Sequence, residues 1–550
     1  LKVDDSLPLE NRIVANIIEQ SQHRVEGANF DVREHLLDYD DVLNSQRERI
    51  YTQRDRVFTK EDLSEDIGEM LQVEVENRVA VALADEEESP WRLLAWMEGV
   101  QPSFTYGDDK VFPSFGLQLL LDEMEDEDDP QAAMLDLIRR AIITEQDYLL
   151  RSIQTSIVRT GENLETQLTE RFDLLDTFLQ AQGDSEELNR PQETLAELSN
   201  LVRMNLRLSN NQLRILDEDP YELEDELREM VQTQLTKLNV TRLLGAIEYR
   251  LGAPLNVDKT ELAEMEARDL ENAILDAAEA KLAEQLEAMS GENGQIAKDL
   301  ANALQRESVE VWDDTAKARL LMGLSQGVRS SFDTRTHRQV KQTYARVQYI
   351  FLAAQNLVNA EPEELTQEVL DHLDAAQDAL REAWGQSEWN QRAPAAATLA
   401  DFGAASAILS ADRASASPAS LNDDERTAVL VELGRSRMTE IQRDLLLRAI
   451  TEQWVEYLTR VEALRVSIGL EAYGQRDPLV QYKSKASMMF QELFGEIRSQ
   501  VISRIFAYQP RRWSVQALGS ESTAPTAPAA KSESQPSSES KKKRRRHKKK

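Results

Sequence analysis

No proline interrupts the chain between Pro8 and Pro90, and from Asn11 to Phe58 it holds a single glycine, Gly27. Proline and glycine are the residues that most readily end or bend a helix, so this stretch is free to run on as one. Apolar or neutral residues recur at Ile13, Ile17, Val25, Ala28, Leu36, Tyr39, Val42, Gln46 and Ile50. That three-to-four spacing lines one buried stripe of an α-helix. At about 1.5 Å per residue such a helix reaches ~70 Å. It reads as a strut longer than most domains are wide, and the rest of the fold has to be arranged around a rod.

The remainder points the same way. Sixteen Pro and 20 Gly in 550 residues fall below average usage of about 5% and 7%, which favours long helices and an all-α fold. No run approaches the ~18 consecutive apolar residues of a membrane-spanning helix. Cysteine is absent, excluding disulfide scaffolds, thiol catalysis and Cys-ligated zinc or iron–sulfur sites and fitting a reducing cytosolic compartment. The chain begins at Leu1 with no basic-then-apolar signal segment, and is expected to be a fragment or a processed product. Its net charge is −35. Residues 521–550 carry ten basic and three acidic side chains, a net +7, which leaves −42 on the rest. Such a body repels nucleic acid and anionic lipid everywhere except through that tail.

Along the chain, Pro90, Pro102, Pro113 and Pro130, with Tyr106-Gly107-Asp108-Asp109, break residues 90–130 into short pieces ending in an acidic run, Asp122 to Asp129. Residues 131–390 read as an all-helical block. Helix-entry chemistry is expected at Asp219 with Pro220, at Asp258 with Glu261, and at Pro362 ahead of Glu363 and Glu364. Residues 391–422, rich in Ala, Ser and Pro, read as a linker or loosely ordered segment. Two further helices follow, one from Asp423 to about Leu470 and one from Pro478, with Asp477 placed as its cap. A short Gly-containing loop between them predicts an antiparallel hairpin. Residues 511–550 cannot form a core.

Motifs with chemical meaning are few. Gly323-Leu324-Ser325-Gln326-Gly327 matches a nucleophile elbow, which needs a strand-to-helix turn; the helical flank favours two small helices meeting at glycines. Tyr106-Gly107-Asp108-Asp109 is like a polymerase metal hairpin but lacks the third carboxylate and basic walls, and reads as a solvated turn. The histidines at 23, 35, 337, 372 and 547 offer no metal-ligand pair. No phosphate-cradling glycine loop is present; Lys259-Thr260 and Lys483-Ser484 lack the glycines. The sequence therefore assigns no catalytic, cofactor or metal residue, and the chain alone is expected to hydrolyse no ATP. The strongest charge feature is Lys541, Lys542, Lys543, Arg544, Arg545, Arg546, Lys548, Lys549 and Lys550. It is suited to an anionic lipid surface or to non-specific RNA contact, or serves as a solubilising end.

Two blocks carry a family resemblance. Arg24-Val25-Glu26, then Asn29-Phe30-Asp31-Val32-Arg33, Leu36-Leu37-Asp38-Tyr39-Asp40-Asp41-Val42, Asn44, Gln46-Arg47 and Ile50-Tyr51 closely resemble the long-helix signature of the SecA preprotein translocase ATPase family. Trp454, Leu458, Leu464-Arg465, Ile468-Gly469-Leu470, Tyr473-Gly474-Gln475-Arg476-Asp477-Pro478-Leu479, Gln481-Tyr482-Lys483 and Phe490 resemble its two-helix finger, in the family's order.

The resemblance implies an elongated helical scaffold: the long scaffold helix over 1–60, the start of the helical wing over 61–130, a helical insertion over 131–390, the linker over 391–422, the finger over 423–510 and a disordered basic tail over 511–550. It implies coupling of ATP hydrolysis, by motor domains outside this chain with their ATP and magnesium, to movement of unfolded preproteins through the SecYEG channel. Tyr473, Gly474, Gln475 and Arg476 would meet the channel and the preprotein, and Asn29, Phe30, Asp31, Arg33, Tyr39, Asp40 and Asp41 carry the scaffold signature. The place implied is the cytoplasmic face of the cell membrane, as a peripheral protein, with no specific nucleic-acid partner. Three departures stand out. The motor domains are absent. Tyr39 and Tyr473 lie 434 residues apart, far more than in the family. The chain ends in Lys and Arg where many members carry a Cys-rich zinc tail for the SecB chaperone or lipid. Within the finger Glu471 replaces a frequent Arg, Tyr457 a His and Ser467 a Gly. The rival reading, from another class, is a free-standing acidic helical scaffold without a motor; an RNA-binding adaptor acting through the tail is a third.

Overall fold

The computed structural model describes residues 12–84, 90–107, 110–124, 129–183, 191–291, 294–306, 312–333, 335, 338–393, 396, 398–409, 415–468 and 477–510. These residues fall in one compact unit. Tyr473 to Arg476 and Lys541 to Lys550 lie outside the described residues.

The expected rod is present. Helix α1 runs over Arg12–Thr59, 48 residues without a break. The sequence stripe divides along it. From Tyr39 onward Tyr39, Val42 and Leu43 are half-buried and Gln46, Ile50 and Val57 buried, whereas Ile17, Val25, Phe30 and Leu37 are exposed. A helical period fixes which residues share a face, and only a neighbour decides whether that face is covered.

At the end of α1 the chain turns through Lys60–Leu63. Asp62 Oδ1 accepts the Ser64 N–H at 2.9 Å, a bond that holds the Asp62 carboxyl below its usual range. Lys60 Nζ reaches Asp66 at 2.7 Å. Helix α2 (Ser64–Ala82) and α3 (Pro90–Val100) follow, then a small antiparallel ribbon of β1 (Phe104–Tyr106) and β2 (Lys110–Phe112), then α4 (Phe115–Glu123). Gly107, at φ +54°, supplies the left-handed conformation that its turn needs.

Helix α5 (Pro130–Gly183) is a second rod of 54 residues, and it passes through three cores. Met134, Leu137, Ile138, Ala141 and Ile142 enter the main one. Ile153 and Ile157 enter a second, with residues of α8 (Glu224–Leu251), α9 (Lys259–Glu264) and α10 (Ala267–Ser290), once α6 (Pro191–Leu201) and α7 (Asn210–Glu218) have intervened. Leu175, Phe178 and Leu179 enter a third, with α6, α7 and the first half of α8. Asp258 caps α9 as expected, accepting the Thr260 N–H at 2.7 Å. Asp219 does not cap: it closes α7, and Pro220 opens a short 3₁₀ turn that feeds α8.

Helices α11 (Gln295–Arg306) and α12 (Asp314–Ser325) return the chain to the main core. There β3 (Gln326–Asp333) pairs antiparallel with β4 (Arg338–Ala345) over eight residue pairs. The glycine–serine motif therefore sits where a helix enters a strand, not between two helices. That order is the reverse of a nucleophile elbow, and Ser325 Oγ simply donates to the Met322 carbonyl of its own helix at 2.8 Å. The chain then runs through α13 (Ile350–Gln355), α14 (Pro362–Arg392), α15 (Asp423–Ser467) and α16 (Pro478–Ile505). Between α14 and α15, Leu399 and Phe402 are buried with Val429 and Leu433, and Phe402 stacks on Trp389 at 5.0 Å. Leu409, Ala416 and Leu421 pack half-buried against this cluster, and the Leu399 N–H donates to the Ala416 carbonyl at 2.9 Å. The chain is mostly helical, with the two ribbons as the only strands among the described residues.

Candidate functional site

The hairpin of α15 and α16 starts from local chemistry. Asn422 and Glu425 form a reciprocal capping box, with Asn422 Oδ1 accepting the Glu425 N–H at 2.8 Å and Glu425 Oε2 accepting the Asn422 N–H at 3.1 Å. Asp477 Oδ1 accepts the Leu479 N–H at 2.9 Å ahead of Pro478 at the first helical position. Between the helices, Val461 and Ile468 are buried with Tyr482, Phe490, Leu493 and Ile497. Arg460 and Glu496 pair in a fork, at 3.0 and 2.5 Å.

Helix α1 lies against both arms of this hairpin. The contact is polar and buried at its centre. Tyr457, fully buried, donates its hydroxyl to Gln46 Oε1 at 2.6 Å. Gln46 Nε2 donates to the Ala486 carbonyl at 3.3 Å. One proton on the phenol serves one acceptor, so the shorter bond to Gln46 takes it and the amide covers Ala486. Three helices are thus joined by two side chains. Burial pushes the Tyr457 phenol well above its ordinary range, keeping it a donor. Tyr39 meets Tyr482 edge to face at 4.6 Å, and Asp40 faces Arg465 at 3.5 Å. From α15, Arg443 donates to the Lys60 carbonyl at 2.7 Å and the Val57 carbonyl at 3.3 Å, satisfying one orphan acceptor in the last turn of α1 and that of the residue that follows it. Helix α2 joins through Glu74, buried between Arg78 at 3.0 Å and Arg498 of α16 at 3.3 Å.

The crossing of α14 and α15 is of another kind. A Cβ on Gly385 would collide with the Leu430 carbonyl, and one on Gly434 with the Arg381 carbonyl. Two glycines facing one another bring these backbones into direct contact.

Of the residues the sequence singles out, Tyr39 and Asp40 are brought to the junction, while Asp41 and Phe30 are exposed. Asn29, Asp31 and Arg33 lie on α1, with side chains outside the described residues, as are Tyr473, Gly474, Gln475 and Arg476. Sequence reasoning marks Tyr457 only as a replacement and misses its partnership. Gln46 holds the available signal: an amide on an apolar stripe requires a buried partner.

Among the described residues no three His, Asp or Glu side chains gather as metal ligands. The chemistry of the junction is mechanical, fixing the register of a 48-residue rod on a hairpin. No described helix is long and apolar enough to cross a membrane.

Comparison with known proteins places this architecture. The chain matches the SecA Wing and Scaffold domain over residues 8–315 and 272–509. It is 45% identical over 93 residues to the protein translocase subunit SecA of Thermodesulfovibrio yellowstonii, covering 17% of this chain and 11% of that protein. With the SecA subunit of Leptospira biflexa it shares 32% over 162 residues, 30% of this chain and 17% of the relative. With that of Dehalococcoides mccartyi it shares 28% over 230 residues, 39% and 22%. The chain thus spans less than a quarter of the length of these relatives. No solved structure matches.

Proposed function

Because the chain belongs to the SecA wing and scaffold family, we propose that it is the transmission part of a protein translocase, carrying ATP-driven movement of motor domains to a preprotein at the SecYEG channel. One observation carries the reading: the two signature blocks, far apart in sequence, meet through Gln46, Tyr457, Tyr39, Tyr482, Asp40 and Arg465. A rod keyed along both arms of a hairpin passes displacement from one to the other without loss of register. The exposed apolar residues of the first half of α1, Ile17, Val25, Phe30 and Leu37, suit a further body packed on the rod, and motor domains holding ATP and magnesium fill that place. In sequence just beyond Arg465 and ahead of Tyr482, Tyr473 between α15 and α16 would touch the moving polypeptide, its ring contacting many side chains.

The test uses a full-length protein carrying this segment with its motor domains, reconstituted with SecYEG vesicles. Tyr473→Ala should cut preprotein transport strongly while basal ATPase stays near the parent. Transport equal to the parent would remove the finger assignment. The chain of 550 residues by itself should release no phosphate from ATP above blank, and turnover that survives repurification would overturn the division of labour.

A further inference from the structure

The ribbon of β3 and β4 plays no part in the junction, and its root stands between two cavities. Arg346 fixes that root. Its guanidinium donates to the Leu324 carbonyl at 2.7 and 3.1 Å and pairs with Asp299 at 2.6 Å, and its N–H donates to the Ser325 carbonyl at 2.7 Å. The last of these bonds sets the direction of the main-chain groups in β4. Gln326 pairs with Ala345, so Arg346 faces Ser325. In an antiparallel pair, hydrogen-bonded positions alternate with non-bonded ones. Tyr344 is therefore bonded to Gly327, while Thr343 and Ala345 turn their N–H and C=O to the outer edge. The sheet has two strands, and among the described residues nothing pairs with that edge at Thr343 or Ala345. Just past β4 a helix supplies the partner: the Gln348 N–H donates to Glu145 of α5 at 3.1 Å.

Thr343, Tyr344 and Ala345 line both cavities. Successive strand residues point to opposite faces, so three in a row bordering each cavity put the strand's edge between them. The smaller cavity, about 550 Å³, is walled by Leu117, Met322, Val347 and Ile350, with Glu98 beside them. The larger, about 810 Å³, lies against α5, α8 and α10, walled by Ile142, Leu149, Leu282 and Met289, with Arg250 beside them. The Arg250 guanidinium meets the hydroxyls of Ser152 and Ser156 at 3.2 and 3.0 Å, and no carboxylate among the described residues. An open strand edge flanked by pockets suits an extended peptide: main-chain bonds hold it, and its side chains drop alternately to either side. A methionine in each cavity adapts to apolar side chains of varied shape. We propose that the outer edge of β4 is a docking groove for an extended segment of a partner protein, apolar at alternate positions and carrying a carboxylate that pairs with Arg250. This inference is independent of the translocase reading.

The probe is a fluorescein-tagged pool of short peptides with valine, leucine or isoleucine at alternate positions, threonine between them and aspartate last. Its anisotropy is followed on titration with the full chain. The expected result is saturable binding, with hydrogen exchange slowed in the segment that holds Thr343 to Ala345. The same pool with every amide N-methylated keeps its side chains and should bind at least tenfold more weakly. Thr343→Pro removes one outward donor and leaves the bonds to β3, since proline is tolerated on an edge; it should cost a similar factor. Arg250→Glu should lose the aspartate-ended pool and gain a lysine-ended one. A melting curve confirms that the variants fold, and the methylated pool decides the matter on the parent chain if Thr343→Pro does not. No binding would overturn the proposal, as would binding indifferent to methylation or without slowed exchange in β4. Slowed exchange without peptide that grows with protein concentration would give the edge to a second copy instead.

Discussion

The junction of α1 with α15 and α16 and the outlying α5–α8–α10 assembly are both helical, and they are held by different means. In the latter, Ile153, Leu244, Ile274, Ala278 and Leu282 form one core and Leu175, Leu198, Leu227 and Val231 another. Polar links between those helices sit on the surface, such as Arg228 to Asp176 at 2.6 Å and Gln154 to Glu271 at 2.8 Å. The junction instead buries its hydrogen bonds, Tyr457 to Gln46 and Gln46 to Ala486. Apolar contact is non-directional and tolerates sliding. A buried donor and acceptor are satisfied in one register only. The rods of the assembly need only stay together; the rod of the junction must stay in step.

The comparison can be broken hardest at the α14–α15 crossing, which sets how α15 is presented to α1. Gly434→Val puts a branched side chain against the Arg381 carbonyl and should cost well above the ~3 kcal/mol usual for overpacking. Thermal melting and the emission of Trp384 and Trp389 report it. A loss below that level would mean that the close approach is incidental.

Leu244→Ala, at a fully buried position in the second core, should cost ~3 kcal/mol and be felt locally. Hydrogen exchange should rise in α8, α10 and the middle of α5, while protection in α15 and α16 stays unchanged. Equal loosening of both would erase the distinction between the regions. In the junction, Tyr457→Phe changes almost no volume but leaves Gln46 Oε1 without its donor, at ~1–3 kcal/mol. A neutral result there would place the register in the apolar packing.

The smallest effect is tied to pH. His372 on α14 meets Gln101 Oε1 at 2.8 Å, between the rings of Phe112 and Phe115. Gln101 Nε2 is already donating to the Pro102 and Pro113 carbonyls, so the imidazole donates through Nε2–H. Burial lowers its pKa from 6.5 to about 4. A base that binds its proton more readily unfolded lends stability that is complete above pH ~6.5 and is lost as pH falls toward 4. The loss should be roughly 1–2 kcal/mol once partial exposure is discounted. Glu98 and Glu145, raised by burial, act in the opposite sense and are untouched by His372→Gln. That variant should therefore flatten the acid loss in melts between pH 7 and 4; an unchanged slope would assign the loss to other groups.

Much of the fold is legible along the chain itself. The absence of breakers after Pro8 sets the rod, Asp477-Pro478 the start of α16 and Asp423 that of α15, because helix propensity and capping act within a few residues. The family signatures also mark Tyr39 and Asp40. Other features belong to the tertiary structure alone. Ile17 and Val25 share the stripe of Ile50, yet only Ile50 is covered. Ser325 ends a helix in a flank whose sequence reads as helical throughout, because β3 finds its partner in β4. Asp219 has the side chain of a cap and closes the preceding helix. Gln46 and Tyr457, 411 positions apart, become one joint. Local sequence determines which segments are helices and where they start, since those energies are settled between neighbours. Which faces are buried and which polar atoms pair are decided only when distant segments arrive at the same place.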